Sequence, residues 1–214
     1  MPAVVNIGGA TIDDPELLDT VMEELEGLQE DVLVVPGGGT LVDRVRAIDR
    51  SHDLSDGTAH WAAIRCMDIT AAVVADRSDR FRAVTSVEGV EAAWADDATP
   101  VLRPHGILRE HDPLPASWDA TSDAIAGWIA AHLGIETVVL LKRVDGIRRG
   151  GEVVDRIDAD AVAGTGTDVV DPVLPEVVAE HGLRAVVMAS SEAGRIRQAI
   201  AGGGIGTVIE AGSG

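Results

Sequence analysis

Lysine is almost missing from this chain of 214 residues: Lys142 is the single one, and every other member of its 17 basic side chains is arginine. Tyrosine does not occur, phenylalanine occurs once, and aromatic residues make up 2% of the total. Cys66 is the sole cysteine, which excludes an intramolecular disulfide. No apolar run approaches the ~18 residues that a bilayer crossing needs, and no basic-then-apolar export segment follows Met1. A cytoplasmic location without membrane contact is therefore expected. Positive charge is scarce overall, since 36 acidic residues leave a formal net charge of −19. Such a field repels phosphate backbones and argues against a nucleic-acid partner. Carboxylates stay hydrated in concentrated salt, so an acidic surface starved of lysine fits a halophilic source. A GC-rich genome would explain arginine in place of lysine, but not the net charge.

What is present is apolar and patterned. Hydrophobic residues reach 46%, which argues against disorder, and the length suits one domain spanning residues 1–214. Ala3–Ile7 is a β-branched run that stops at Gly8 and Gly9, and Asp31–Val35 is a second, closed by Pro36 and three glycines. Between them Leu17, Leu18, Val21, Met22, Leu25 and Leu28 recur at helical spacing. The alternation continues with helices near 41–48, 56–76, 86–95, 121–133, 172–181 and 192–201. Strands are expected at 82–85, 100–103, 137–141, 184–189 and 207–210. The proline-broken stretch 103–119 reads as an irregular loop on the substrate side. Strands alternating with helices require a mostly parallel sheet covered on both faces, hence an α/β, three-layer αβα sandwich. Ligands in such sheets bind beyond the carboxyl ends of the strands.

The glycines cluster at those ends. Ile7-Gly8-Gly9-Ala10-Thr11 and Pro36-Gly37-Gly38-Gly39-Thr40 each combine a strand end, a tight turn and a helix start, where free N–H groups can hold a phosphate. Neither loop has the spacing of a P-loop or of a dinucleotide fingerprint. Lys142-Arg143-Val144-Asp145-Gly146 follows an apolar strand and places the only lysine at a ligand-binding edge. In Ser117-Trp118-Asp119-Ala120-Thr121-Ser122-Asp123, Thr121 or Ser122 can cap a helix whose first turn contains Asp123. The six histidines show no i,i+4 pair and Cys66 has no ligand-spaced neighbour, so no metal site is expected among the side chains. Ser190 and Ser191 read as helix caps, there being no G-x-S-x-G around them.

The motif order resembles the amino acid kinase superfamily: a strand with I-G-G, a strand with P-G-G-G, T-S-D at a helix start, V-D-G-I after a strand, and a late helix behind D-P. Ala63–Asp68, Ser117–Asp123 and Val144–Ile147 resemble in particular the archaeal kinases of aminomethyl-furanmethanol phosphate. The resemblance implies ATP and Mg²⁺ as cofactors, a small-molecule phosphoryl acceptor over residues 1–135, and the nucleotide over 136–214. It also implies a homodimer or higher homo-oligomer paired through N-terminal helices. By the same resemblance Gly8, Gly9, Gly37, Gly38 and Gly39 contact the transferring phosphate, Asp123 orients the catalytic cations, and Asp145 and Gly146 lie beside the nucleotide. Arg65 and Trp118 are the candidate acceptor contacts.

Two positions depart from the family pattern. The lysine expected before the first glycine loop is Asn6, and the one expected in the late helix falls at Glu176. Loss of one such donor typically costs roughly 10²–10³ in rate. Lys142 and Arg143, with Arg65, are the replacements that the sequence offers. Two readings stand: a phosphotransferase for a small polar or phosphorylated metabolite, or an impaired nucleotide- or oxyanion-binding relative with a regulatory or storage role.

Overall fold

The computed structural model describes residues 1–212. In chain order it contains β1 (Ala3–Ile7), α1 (Gly9–Ile12), α2 (Pro15–Glu26), β2 (Val32–Pro36), α3 (Gly39–His52), α4 (Asp56–Ala75) and β3 (Phe81–Val84). Then come α5 (Val87–Ala95), β4 (Thr99–Leu102), α6 (His105–His111), α7 (Ser122–His132), β5 (Thr137–Lys142), β6 (Arg148–Arg149) and β7 (Glu152–Val153). The last elements are β8 (Arg156–Asp158), α8 (Ala159–Val162), α9 (Leu174–His181), β9 (Arg184–Ala189), α10 (Ile196–Ile200) and β10 (Thr207–Glu210).

Eight strands form one sheet in the order β3-β4-β2-β1-β5-β9-β10-β8, while β6 and β7 make a separate hairpin. From β3 to β9 all pairings are parallel. β10 runs antiparallel to β9 and carries β8 beside it. Every residue of β1 and β2 is buried, which explains why these strands read as unbroken apolar runs: a strand covered on both faces has no polar side to alternate with.

Two cores flank the sheet. On one face Val4, Leu33, Val138 and Leu140 pack with α5, α6, α7 and α9 through Val90, Leu108, Ile125, Ile129 and Leu174. On the other, Val5, Ile7, Val139, Leu141 and Val186 meet Leu18, Val21 and Leu25 of α2 and Ile196 and Ala199 of α10. This is the αβα sandwich that the alternation implied.

Two local expectations need correction. The stretch 103–119 is not loop throughout, because α6 occupies His105–His111. Pro104 stands at its N-cap, where a missing N–H costs nothing, and Ile107 and Leu108 bury its inner face. The expected helix 192–201 is broken: Ser190–Arg195 forms a 3₁₀ turn with Glu192 off the helical region, and only Ile196–Ile200 is α-helical. Ser190 does not cap it; the buried hydroxyl donates instead to the Lys142 carbonyl and pairs with Thr11 Oγ1 at 2.6 Å.

Because β1, β2, β5 and β9 run parallel, their carboxyl ends share one edge. Gly8, Gly37, Arg143 and Ser190 follow directly.

Candidate active site

The two glycine loops touch. Gly8 N donates to Leu141 O and Gly37 N donates to Ile7 O, so each loop leaves the sheet still tied to the neighbouring strand. A Cβ on Gly9 would lie 2.7 Å from Gly39 N, and one on Gly37 would lie 2.9 Å from Gly9 N. Gly39 itself has φ +54°, and its Cβ position is filled by the Asp13 carboxylate, which accepts from Thr40 N. Only glycine satisfies this approach. Overpacking against backbone costs about 1–3 kcal/mol, so Gly9→Ala is expected to lower the midpoint of urea unfolding. An unchanged midpoint would mean that the loops can part freely.

Lys142, at the last position of β5, extends its stem past Gly8 and places Nζ 2.6 and 2.7 Å from the two oxygens of Asp123. The Asp123 side chain is 2% exposed and the Lys142 side chain 18%. Burial pushes the Asp123 carboxyl up, against the pull of the Lys142 ammonium and of the Asp171 N–H that it accepts. Asn6, one strand away, is fully buried; its Nδ2 donates to Val35 O and Ser122 O, and its Oδ1 has no partner. Asn6 is paired in register with Leu140, two residues before Lys142, so both side chains leave the same face of the sheet. They reach consecutive residues at the start of α7. Lys142 Nζ, from β5, and Asn6 Nδ2, from β1, thus meet the start of α7 side by side.

Asp171 holds this corner together. One carboxylate oxygen accepts from Thr121 N, Thr121 Oγ1 and Ala124 N, and the other from Val173 N and Leu174 N. It caps α7 and α9 at once, and its own N–H donates to Asp123. Thr121 and Ser122, the expected caps, make no side-chain cap to α7. The Asp-Pro pair before α9 was visible in the sequence; its reach to α7 was not.

Beside the loops lies a cavity of about 300 Å³ whose lining includes Gly9, Gly37, Gly38, Gly39, Met67, Trp118 and Ser122. Arg46, Asp43 and His60 also face it, and sequence reasoning named none of them. Arg46 lies seven residues past the glycine triplet on α3, the helix spacing that could have revealed it. Its guanidinium stands 4.9 Å from the centre of the Trp118 ring, whose Nε1 donates to Asp49. Burial holds the His60 imidazole below its ordinary range.

Other named residues lie elsewhere. Arg143, one residue past the end of β5, turns away from Asp123 and pairs with Asp14 at 2.7 Å on the surface, in a depression that Lys142 also borders. Asp145 is exposed and pairs with Arg148; Gly146 is buried against Thr207. Arg65 lines a separate depression. Glu176 is exposed in the first turn of α9.

The model of the family described as "Amino acid kinase family" matches residues 1–189. The chain belongs to the amino acid kinase family. Among curated relatives, the [5-(aminomethyl)furan-3-yl]methyl phosphate kinase of Methanocaldococcus jannaschii is 27% identical over 203 residues, covering 93% of each chain. Among solved structures, the uridylate kinase of Archaeoglobus fulgidus superposes with TM-score 0.76 at 18% identity, over 98% of this chain and all of its own. The UMP kinase of Ureaplasma parvum gives 0.75 at 15% identity, over 98% and 99%. The amino acid kinase fold is therefore shared along nearly the whole length. No described helix is long and apolar enough to cross a membrane.

Proposed function

We propose that the protein is an ATP-dependent phosphotransferase whose acceptor is a small phosphorylated metabolite. The observation that carries this reading is the Lys142–Asp123 clasp beside the touching glycine loops. Phosphoryl transfer depends almost wholly on positioning and on neutralising the migrating charge. Backbone N–H groups of Gly8, Gly9, Gly37, Gly38 and Gly39 would hold the transferring group, and Lys142 would neutralise it. Asp123 would orient the ammonium, with Asp145 and Gly146 on the nucleotide side. The acceptor lobe is then 1–135 and the nucleotide lobe 136–214. No described cluster of three or more His, Cys, Asp or Glu side chains is arranged to hold a metal ion. Magnesium would thus travel chiefly on the nucleotide's own phosphate oxygens, where it shields their charge.

The cavity supports a phosphorylated acceptor. Asp13 is committed to Thr40 and is no free general base, while the exposed Asp43–Arg46 pair at 3.2 Å can part to turn the guanidinium toward a ligand. A phosphate oxygen needs no base, since it attacks already ionised. Arg46 can pair with the resident phosphate, while Trp118, Ile64 and Met67 give an apolar wall for a carbon ring. The relative from M. jannaschii is named for a substrate that has both parts.

Incubation with ATP–Mg²⁺ and a panel of phosphorylated and unphosphorylated ring metabolites should release ADP with the phosphorylated ones. Trp118→Ala should raise KM for the acceptor about tenfold and leave that for ATP unchanged, as loss of a buried aromatic contact typically does. Nucleotide binding without ADP from any acceptor would favour the regulatory or storage reading, which the loss of lysine at Asn6 and Glu176 motivates. A homo-oligomer belongs to the proposal too. α3 carries Leu41 and Ile48, 37% and 50% exposed, and buries none of its residues.

A further inference from the structure

A second concentration of positive charge lies apart from the glycine loops. Arg65 on α4 and His105 and Arg109 on α6 line an open depression of about 540 Å³ together with Ser55, Thr58 and Trp61. None of these residues faces the 300 Å³ cavity. The Arg109 guanidinium carbon stands 4.5 Å from the centre of the Trp61 ring, and the His105 ring meets the same indole edge-on at 5.9 Å. Such stacking fixes the guanidinium's direction while its N–H groups stay available. Ser55 and Thr58 place two hydroxyls at the rim, 2.9 Å apart.

The lining of this depression holds two arginines and a histidine but no carboxylate. Arg65 and Arg109 are among the eight of the 17 basic side chains that have no described carboxylate within 4.0 Å, and they are brought together here. The Asp68 carboxylate accepts from the His105 backbone N–H. In a chain with twice as many acids as bases, two arginines sharing one depression without a carboxylate repel each other. A bound anion would offset that cost.

We propose that this depression is a second anion site, which takes the phosphate group of a small molecule. Guanidinium forks match tetrahedral phosphate oxygens bidentately, and the two hydroxyls and the imidazole N–H can complete the shell. The site is independent of the phosphotransferase reading: its occupant neither donates nor accepts the transferred group.

Calorimetric titration of the full chain with inorganic pyrophosphate tests it. Binding should persist in Lys142→Ala and weaken about tenfold or more in Arg65→Gln/Arg109→Gln, the usual cost of losing charge-assisted contacts. Titrations with orthophosphate and glycerol phosphate then distinguish a free ion from an ester as the natural source. In the wild-type chain, pyrophosphate should slow phenylglyoxal modification of Arg65 and Arg109, read by mass spectrometry. Undiminished binding in the double variant, or unprotected arginines, would overturn the proposal. Neither result bears on whether ADP is released from ATP.

Discussion

Lys142→Ala is expected to reduce kcat by roughly 10²–10³, the usual effect of removing one preorganised donor at a developing charge. KM for ATP should change far less if the ammonium acts mainly on the migrating group. The substitution also leaves the Asp123 carboxylate buried without its partner, so a thermal melt must accompany the kinetics. Lys142→Arg separates the two effects. It restores charge to Asp123 and hence stability, but a planar fork cannot occupy the slot of a compact ammonium, and kcat should stay low. Arg143→Ala is the contrasting control. Its guanidinium holds Asp14 at the surface instead of Asp123, and exposed pairs contribute about 0–1 kcal/mol. Little change in kcat is expected. If Arg143→Ala lost activity as fully as Lys142→Ala, the assignment to the β5 ammonium would be wrong.

The largest loss of stability is expected from Asp171→Ala. Five hydrogen bonds end on this one carboxylate, four of them from backbone N–H groups at the starts of α7 and α9. Removing one N-cap costs about 0.5–2 kcal/mol, and each buried donor left without a partner about 1–3 kcal/mol. Two caps lost together should cost on the order of 3–5 kcal/mol, read as a lower midpoint in denaturant at constant slope. Asp171→Asn should recover part of this, since its carbonyl oxygen can still cap one helix. A cost below that of one ordinary cap would show that water replaces the carboxylate and that the two helices are not joined through it. The Asp171 N–H that braces Asp123 belongs to the main chain and survives both substitutions.

Much of the architecture was legible because burial on both faces leaves a plain signature. β9 and β10 match their apolar runs residue for residue, and β1 ends where Gly8 begins. α6 is hidden in the sequence because prolines 104, 113 and 115 mark one broken stretch, although Pro104 enters a helix and the later two follow it. The different partners of Lys142 and Arg143 arise where β5 ends between them, a boundary the apolar run 137–141 only approximates. It could not contain the reach of Asp171 to residues some 47 to 50 positions earlier, since nothing local encodes such a pairing. Arg65 lies apart from the cavity beside the glycine loops because which face of α4 borders that cavity depends on how α4 packs against α3, which no local pattern encodes.

The clasp of Lys142 and Asp123 has one more consequence. Amine-directed acylating reagents meet a single side-chain target in this protein, and mass spectrometry separates it from the amino terminus. The pace of acylation at Lys142 therefore counts how often that buried ionic contact opens. The one primary amine held on a side chain becomes a built-in reporter of local breathing.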